Sequence, residues 1–196
     1  MSGMVHPGGR EPAPGGLALV QALVNTVDRE HGPDLLDERA GLHDWLGARG
    51  LLEPGLAVTS ADLHAARELR EALRTLLLAN NGEPERRARV TPAVARTVLE
   101  AAAGRAELRV SFPPEGPELV PARAGVDGAL GRVAAAAFAA MLDGSWPRLK
   151  ACPREPCGWA FYDRSSNASA TWCSMAVCGG RAKAIAYYRR RRAAGG

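Results

Sequence analysis

Every cysteine of the 196-residue chain lies in one short window: Cys152, Cys157, Cys173 and Cys178. The spacing is Cys-x4-Cys, fifteen intervening residues, then Cys-x4-Cys. Two close pairs joined by a loop can deliver four thiolates to one tetrahedral ion. Zinc suits this arrangement, being redox-inert, without a geometric preference of its own, and accepting sulfur at ~2.3 Å. Four thiolates fill its coordination sphere and leave no position for water or substrate. The expected cofactor is therefore one structural Zn2+. Two disulfides would suit a secreted chain, and an iron–sulfur cluster also takes four cysteines, though at other usual spacings. The pairing pattern favours zinc.

A module this short has little core of its own. Trp159, Phe161, Tyr162 and Trp172 are expected to form a small core around the metal. Metal binding would supply most of its folding free energy, on the order of 10 kcal/mol or more. On this reading Cys173→Ser unfolds the module and leaves the rest folded. Four thiolates on a dication carry a net charge of −2, which backbone amides after a knuckle offset. Gly179 and Gly180 would permit that approach, with Arg181 and Lys183 compensating further.

The preceding residues read as helical. In LALVQALVNTVDRE, Leu17, Val20, Leu23, Val24 and Val27 recur at helical spacing, and Gly32-Pro33 is the expected stop. Asn25-Thr26 interrupts the stripe, most simply by bonding to local backbone. A second helix is expected around LLDERAGLHDWLGARG, ending at Gly50. Thr59 and Asp62 form a capping-box pattern before a long helix that Asn80-Asn81-Gly82 ends. Thr91-Pro92 opens a fourth helix, expected to stop at Gly104. Leu108, Val110 and Phe112 alternate as in a half-buried strand, and residues 118–122 return as its partner. Asp127 is the expected cap of an alanine-rich helix closed by Gly144.

The expected fold is mainly α. A flexible tail (1–16) precedes a helical domain with one β-hairpin (17–145), followed by a small four-cysteine zinc-finger module with a basic C-terminal helix (146–196). No apolar run approaches the ~20 residues of a membrane span. The N-terminus has no apolar signal core, so a cytoplasmic location and no membrane partner are expected. The four histidines (His6, His31, His43, His64) are scattered, and no phosphate loop or HExxH motif occurs. With a saturated zinc and no acid–base pair, an enzyme is not expected.

Charge is unevenly placed. From Cys152 onward the chain carries eight basic and two acidic residues, whereas the remainder carries 17 basic and 19 acidic ones. Arg181, Lys183, Arg189, Arg190, Arg191 and Arg192 lie in a segment with no acids that is expected to be helical. A localised positive field of this kind attracts polyanions. The alternative is a basic helix end that only complements the helix dipole.

The strings C-x4-C-G-W-x-F-Y-D-x-S and W-C-S-M-A-x-C-G-x-R-A-K-A resemble the CGNR zinc-finger family. Asn25-Thr26 in an apolar first helix is similar to the opening of its usual companion, the ABATE domain. The resemblance implies zinc on Cys152, Cys157, Cys173 and Cys178, and a stress-induced bacterial transcription regulator whose zinc module binds DNA. It leaves the helical domain to sense a signal or form a homodimer. Gly179 and Arg181 match the signature, whereas Gly180 stands where the family has asparagine. Residues 166–171 lack the arginines that relatives tend to carry there. A protein-interaction adaptor, presenting Trp159, Tyr162, Tyr187 or Tyr188 to a partner, is the alternative function.

Overall fold

The computed structural model describes residues 9–82 and 90–194. In its last helix the side chains of residues 186, 188–190 and 192–194 are outside that description. Among the described residues, six helices and two antiparallel hairpins follow in chain order: α1 (Leu17–Val24), α2 (Arg39–Gly47), α3 (Ser60–Ala79), α4 (Pro92–Arg105), β1 (Leu108–Ser111), β2 (Glu118–Pro121), α5 (Gly125–Leu142), β3 (Leu149–Ala151), β4 (Ala160–Tyr162) and α6 (Gly180–Ala194). A 3-10 turn (Trp146–Arg148) leads into β3, and a π-turn (Met175–Gly179) leads into α6.

Local chemistry sets several boundaries. Thr59 Oγ1 accepts from the Asp62 amide while the Asp62 carboxylate accepts from the Thr59 amide, closing a capping box at α3. The Thr91 side chain caps α4, with Pro92 at its first position. Gly144, at φ 77°, follows α5. Asp127 is not the α5 cap, contrary to expectation. The helix begins two residues earlier, after Ala124, and Asp127 lies in its first turn, paired with Arg105. There its negative charge complements the helix dipole.

Two helices are shorter than their apolar patterns. Helix α1 stops at Val24, well before Gly32-Pro33. Asn25 is drawn into long-range bonds, and Val27 pairs with Asp34 as an isolated bridge. Helix α2 starts only at Arg39, since Arg67 binds the carbonyls of Leu36 and Asp37 and holds that stretch outside a helix.

The core is a helical stack. Leu17, Val20, Leu23 and Val24 of α1 meet Leu69, Leu73 and Leu77 of α3, all buried. Helix α5 packs against α1, α3 and α4. It is long and apolar enough to cross a membrane, with mean hydropathy 1.3 over its 18 residues, and so comes nearer that limit than the sequence reading allowed. Its Ala129, Leu130, Val133 and Ala137 are instead buried core residues. Gly131 lets the end of α4 lie against α5, because a Cβ there would come within 2.2 Å of Ala106 Cβ.

The β1–β2 hairpin forms at the expected residues, pairing Val110 with Leu119, but the alternating residues are not its buried side: Val110 and Phe112 are exposed, and Leu108 alone of the three turns partly toward α5. The second hairpin was not expected: β3 and β4 pair Leu149 with Tyr162 and Ala151 with Ala160, inside the cysteine module. Three-residue strands carry too little periodicity to be read from sequence.

Candidate metal centre

The β3–β4 hairpin positions the first cysteine pair. Cys152 follows β3, and its amide donates to the Trp159 carbonyl (2.9 Å), which extends the ladder. The second pair is set by the π-turn. Ser174 Oγ accepts from the Val177 amide, and its carbonyl accepts from the Cys178 and Gly179 amides. All four sulfurs are buried and lie within 4.8 Å of one another. Cys157–Cys173 and Cys173–Cys178 are 3.7 and 3.4 Å apart. Sulfurs at the corners of a tetrahedron with ~2.3 Å bonds are about 3.8 Å apart. The four cysteines are thus positioned to bind one zinc ion.

Their acidities carry the same message. Hydrogen bonds from Cys157 and Cys173 bring the Cys152 thiol down to about 2. The bond to Cys152 pushes Cys157 up to about 12. Bonds with Cys152 and Cys157, then burial, push Cys173 above the ordinary thiol range. Without a cation, the Cys152 thiolate therefore holds the protons on Cys157 and Cys173. A dication lifts that restraint.

Around the metal, Trp159 and Phe161 are buried with the cysteines, and Trp172 packs beside them. Tyr162 belongs instead to the main core, because alternation along β4 turns it away from Phe161 toward the helices.

The inner face of the module is fastened to the helices by polar side chains. Asn25 donates to the Ala160 carbonyl (2.9 Å) and accepts from its amide (2.7 Å), pairing with β4 as another strand would. Gln21 donates to the same carbonyl. Arg74, fully buried, donates to the carbonyls of Val24 (2.5 Å) and Gly158 (3.2 Å). Burial lowers its pKa to about 10, against the opposing pull of Glu71. Asn80 holds the Trp146 and Leu149 carbonyls, and Asn81 those of Ala151 and Thr171. Asn25-Thr26 is therefore more than a local motif. Thr26 does bond locally to Leu23, but Asn25 reaches 135 residues along the chain.

The comparisons agree with this geometry. Residues 17–145 match a family described as "ABATE: Putative stress-induced transcription regulator". Residues 148–191 match the CGNR zinc finger. The chain belongs to the ABATE family, with a CGNR zinc finger at its end. No curated protein matches it.

In this CGNR finger the charge compensation differs from expectation. The backbone amides of Cys173 and Arg154 donate to Cys152, and that of Trp159 donates to Cys157. After Cys178, by contrast, the Gly179 amide is spent on Ser174. Gly179 is needed for space, since a Cβ there would lie 2.7 Å from Met175 Sδ and 3.1 Å from Trp172 Cδ1. Gly180 sits in ordinary helical conformation. The cation at the sulfurs is Arg154, whose Nε donates to Cys178 Sγ (3.1 Å). Its Nη2 pairs with Glu30 of the ABATE domain, as does Arg181. Arg154 escaped notice because nothing in its local spacing marks it.

The loop between the cysteine pairs hangs on a buried ion pair. Lys150 Nζ bonds Asp163 (2.9 Å) and the carbonyls of Ala168 and Ala170. Burial opposes ionisation of Asp163, but bonds from Ser165 and Lys150 outweigh it and bring its pKa to about 2. The N-terminal tail is not loose where it is described. Arg10 binds the carbonyls of Cys173 and Trp172 and lies over the Phe161 ring. Residues 1–8, including His6, lie outside the described residues, while His31, His43 and His64 sit on the surface.

Of the basic residues singled out, Arg181, Lys183 and Arg191 are exposed on α6, whereas the side chains of Arg189, Arg190 and Arg192 lie outside the described residues.

Proposed function

We propose that this protein is a DNA-binding transcription regulator, in which the zinc ion is structural and anchors α6 for contact with the phosphate backbone. The carrying observation is the placement of α6. It springs from the Cys178 turn, packs chiefly on that turn, and bears six basic residues and no acid. Arginine is suited to phosphate, and such contacts position a protein without reading sequence. Arg181 is half-exposed but shared with Glu30, so the contact falls mainly to Lys183 and Arg189 to Arg192. In this reading the protein catalyses nothing and works on the chromosome in the cytoplasm.

The test is fluorescence anisotropy with a short duplex at low and moderate salt. About four phosphate contacts give a log–log slope of roughly −3.6. Replacing Arg189, Arg190, Arg191 and Arg192 together with alanine is expected to abolish binding while zinc content and helicity stay unchanged. Unchanged binding would overturn the assignment of α6.

One observation favours the adaptor reading. Met175, Ile185 and Tyr187 expose about half their surface on the same finger. An apolar protein interface there would survive salt that strips a phosphate-bound helix.

A further inference from the structure

Helix α4 packs along α3 and α5 but is the least buried helix of the ABATE domain. Only Ala95 and Ala102 of its fourteen residues are buried. Small residues form its seam, and beside them Leu99 and Ala103 face a cleft of about 530 Å³. Leu76 of α3, Asn80 just after it, Ala134 of α5 and Trp146 form other parts of its wall. Leu108 and Leu119 contribute from the hairpin, and Phe138 and Met141 stand at the α5 side, nearly half exposed. The cleft is a groove open to solvent on one side. Its size falls within the roughly 300–1,000 Å³ of small-molecule sites, and four elements converge on it.

The polar groups are few and specific. Asn80 spends its Nδ2 on the Trp146 and Leu149 carbonyls, while its Oδ1 accepts from none of the described residues. Arg96 and Glu100, one turn apart on α4, are exposed at the cleft, and neither forms an ion pair with a described residue. An apolar body can fill the cleft while a negative end meets the Arg96 guanidinium. Glu100 disfavours a second negative charge on the same ligand.

We propose that the cleft between α3, α4, α5 and the β1–β2 hairpin binds a small amphipathic monoanion, its apolar body against Leu76, Leu99 and Leu119 and its charge at Arg96. The proposal concerns the ABATE domain and is independent of DNA binding. The back wall of the site is the segment that Asn80 ties to β3, three residues before Cys152.

The probe is anilinonaphthalene sulfonate, an apolar aromatic anion, titrated into the zinc-loaded full chain with fluorescence readout. Saturable binding is expected, with displacement by decanoate stronger than by decylamine. Arg96→Ala should weaken the dye roughly threefold and Glu100→Gln should tighten it by a similar factor, the scale of one exposed charge pair. Ala103→Phe, which fills the cleft, should remove binding with zinc content and helicity preserved. Should that variant misfold, leucine-methyl shifts in the unmodified chain give the same answer, and Leu76, Leu99 and Leu119 should move. Loss of dye binding in the four-arginine variant of α6 would overturn the proposal, since the anion would then have been on the basic helix. Dye binding that falls as the protein dimerises with concentration would overturn it too, because a second copy would be the occupant.

Discussion

The zinc finger has two faces that obey different rules. On the inner face, β3 and β4 share the main core through Leu149, Ala151 and Ala160, and Asn25, Arg74, Asn80 and Asn81 satisfy the backbone groups that burial would otherwise leave unpaired. On the outer face, the Cys178 turn supports α6, every described side chain of which from Lys183 onward is exposed. Cys152 and Cys157 flank the β3–β4 turn, whereas Cys173 and Cys178 belong to the loop and turn leading to α6. The difference teaches that the metal is a joint. It ties a helix with little packing of its own to a hairpin that is already part of the helical domain.

Breaking the joint gives the largest effect. Cys173→Ser, or zinc removal by a chelator, forfeits a metal contribution on the order of 10 kcal/mol. Read from sequence, that loss would be confined to the C-terminal module. The shared core changes the expectation. β3 and β4 bury residues against α1 and α3, so the whole chain should lose stability in one transition. Differential scanning calorimetry with and without zinc decides the matter. A separate transition, with the helical domain melting at its original temperature, would show two independent units.

The inner face can be probed without touching the metal. Asn25→Ala leaves the amide and carbonyl of Ala160 without their Asn25 partner in a buried site, although Gln21 still donates to the carbonyl. Each unsatisfied buried group costs about 1–3 kcal/mol. With only the amide left unpaired, a loss of about 1–3 kcal/mol in urea unfolding, with zinc stoichiometry unchanged, is the expected result. A loss under about 1 kcal/mol would mean that Gln21 and the apolar contacts hold the hairpin alone.

This asymmetry also explains what could be read from the residues in order. The cap at Thr59, the Thr91-Pro92 start, the position of the β1–β2 hairpin and the paired cysteines are local patterns, and each appears in the structure where spacing put it, although the burial that alternation implied for Val110 and Phe112 does not. What local patterns could not reveal is long-range. Asn25 finds Ala160, Arg154 finds Cys178 and Glu30, and Arg10 finds Cys173. Each partner is chosen by tertiary packing, which no periodicity records. The end of α1 was misplaced for the same reason, because the bond made by Asn25 outweighs the helical propensity of the residues after it. The cleft beside α4 was invisible too, since a run of alanines reads equally as a tight seam or a loose one.

The smallest expected effect sits where the two faces meet. Glu30 accepts from Arg154, which also touches Cys178, and from Arg181 at the root of α6. Arg181 is half-exposed, so its pairing with Glu30 contributes at most ~1 kcal/mol. Arg154 keeps its sulfur contact after Glu30→Gln, and thermal stability should shift little. Duplex binding should respond in the opposite sense to a loss of structure. Freed from Glu30, Arg181 joins the positive charge of α6, so affinity at low salt should rise and the salt slope should steepen by about 0.9 for one added phosphate contact. Weaker binding with unchanged stability would mean that Glu30 sets the angle at which α6 leaves the finger. Orientation, more than charge, would then be what the ABATE domain imposes on its zinc finger.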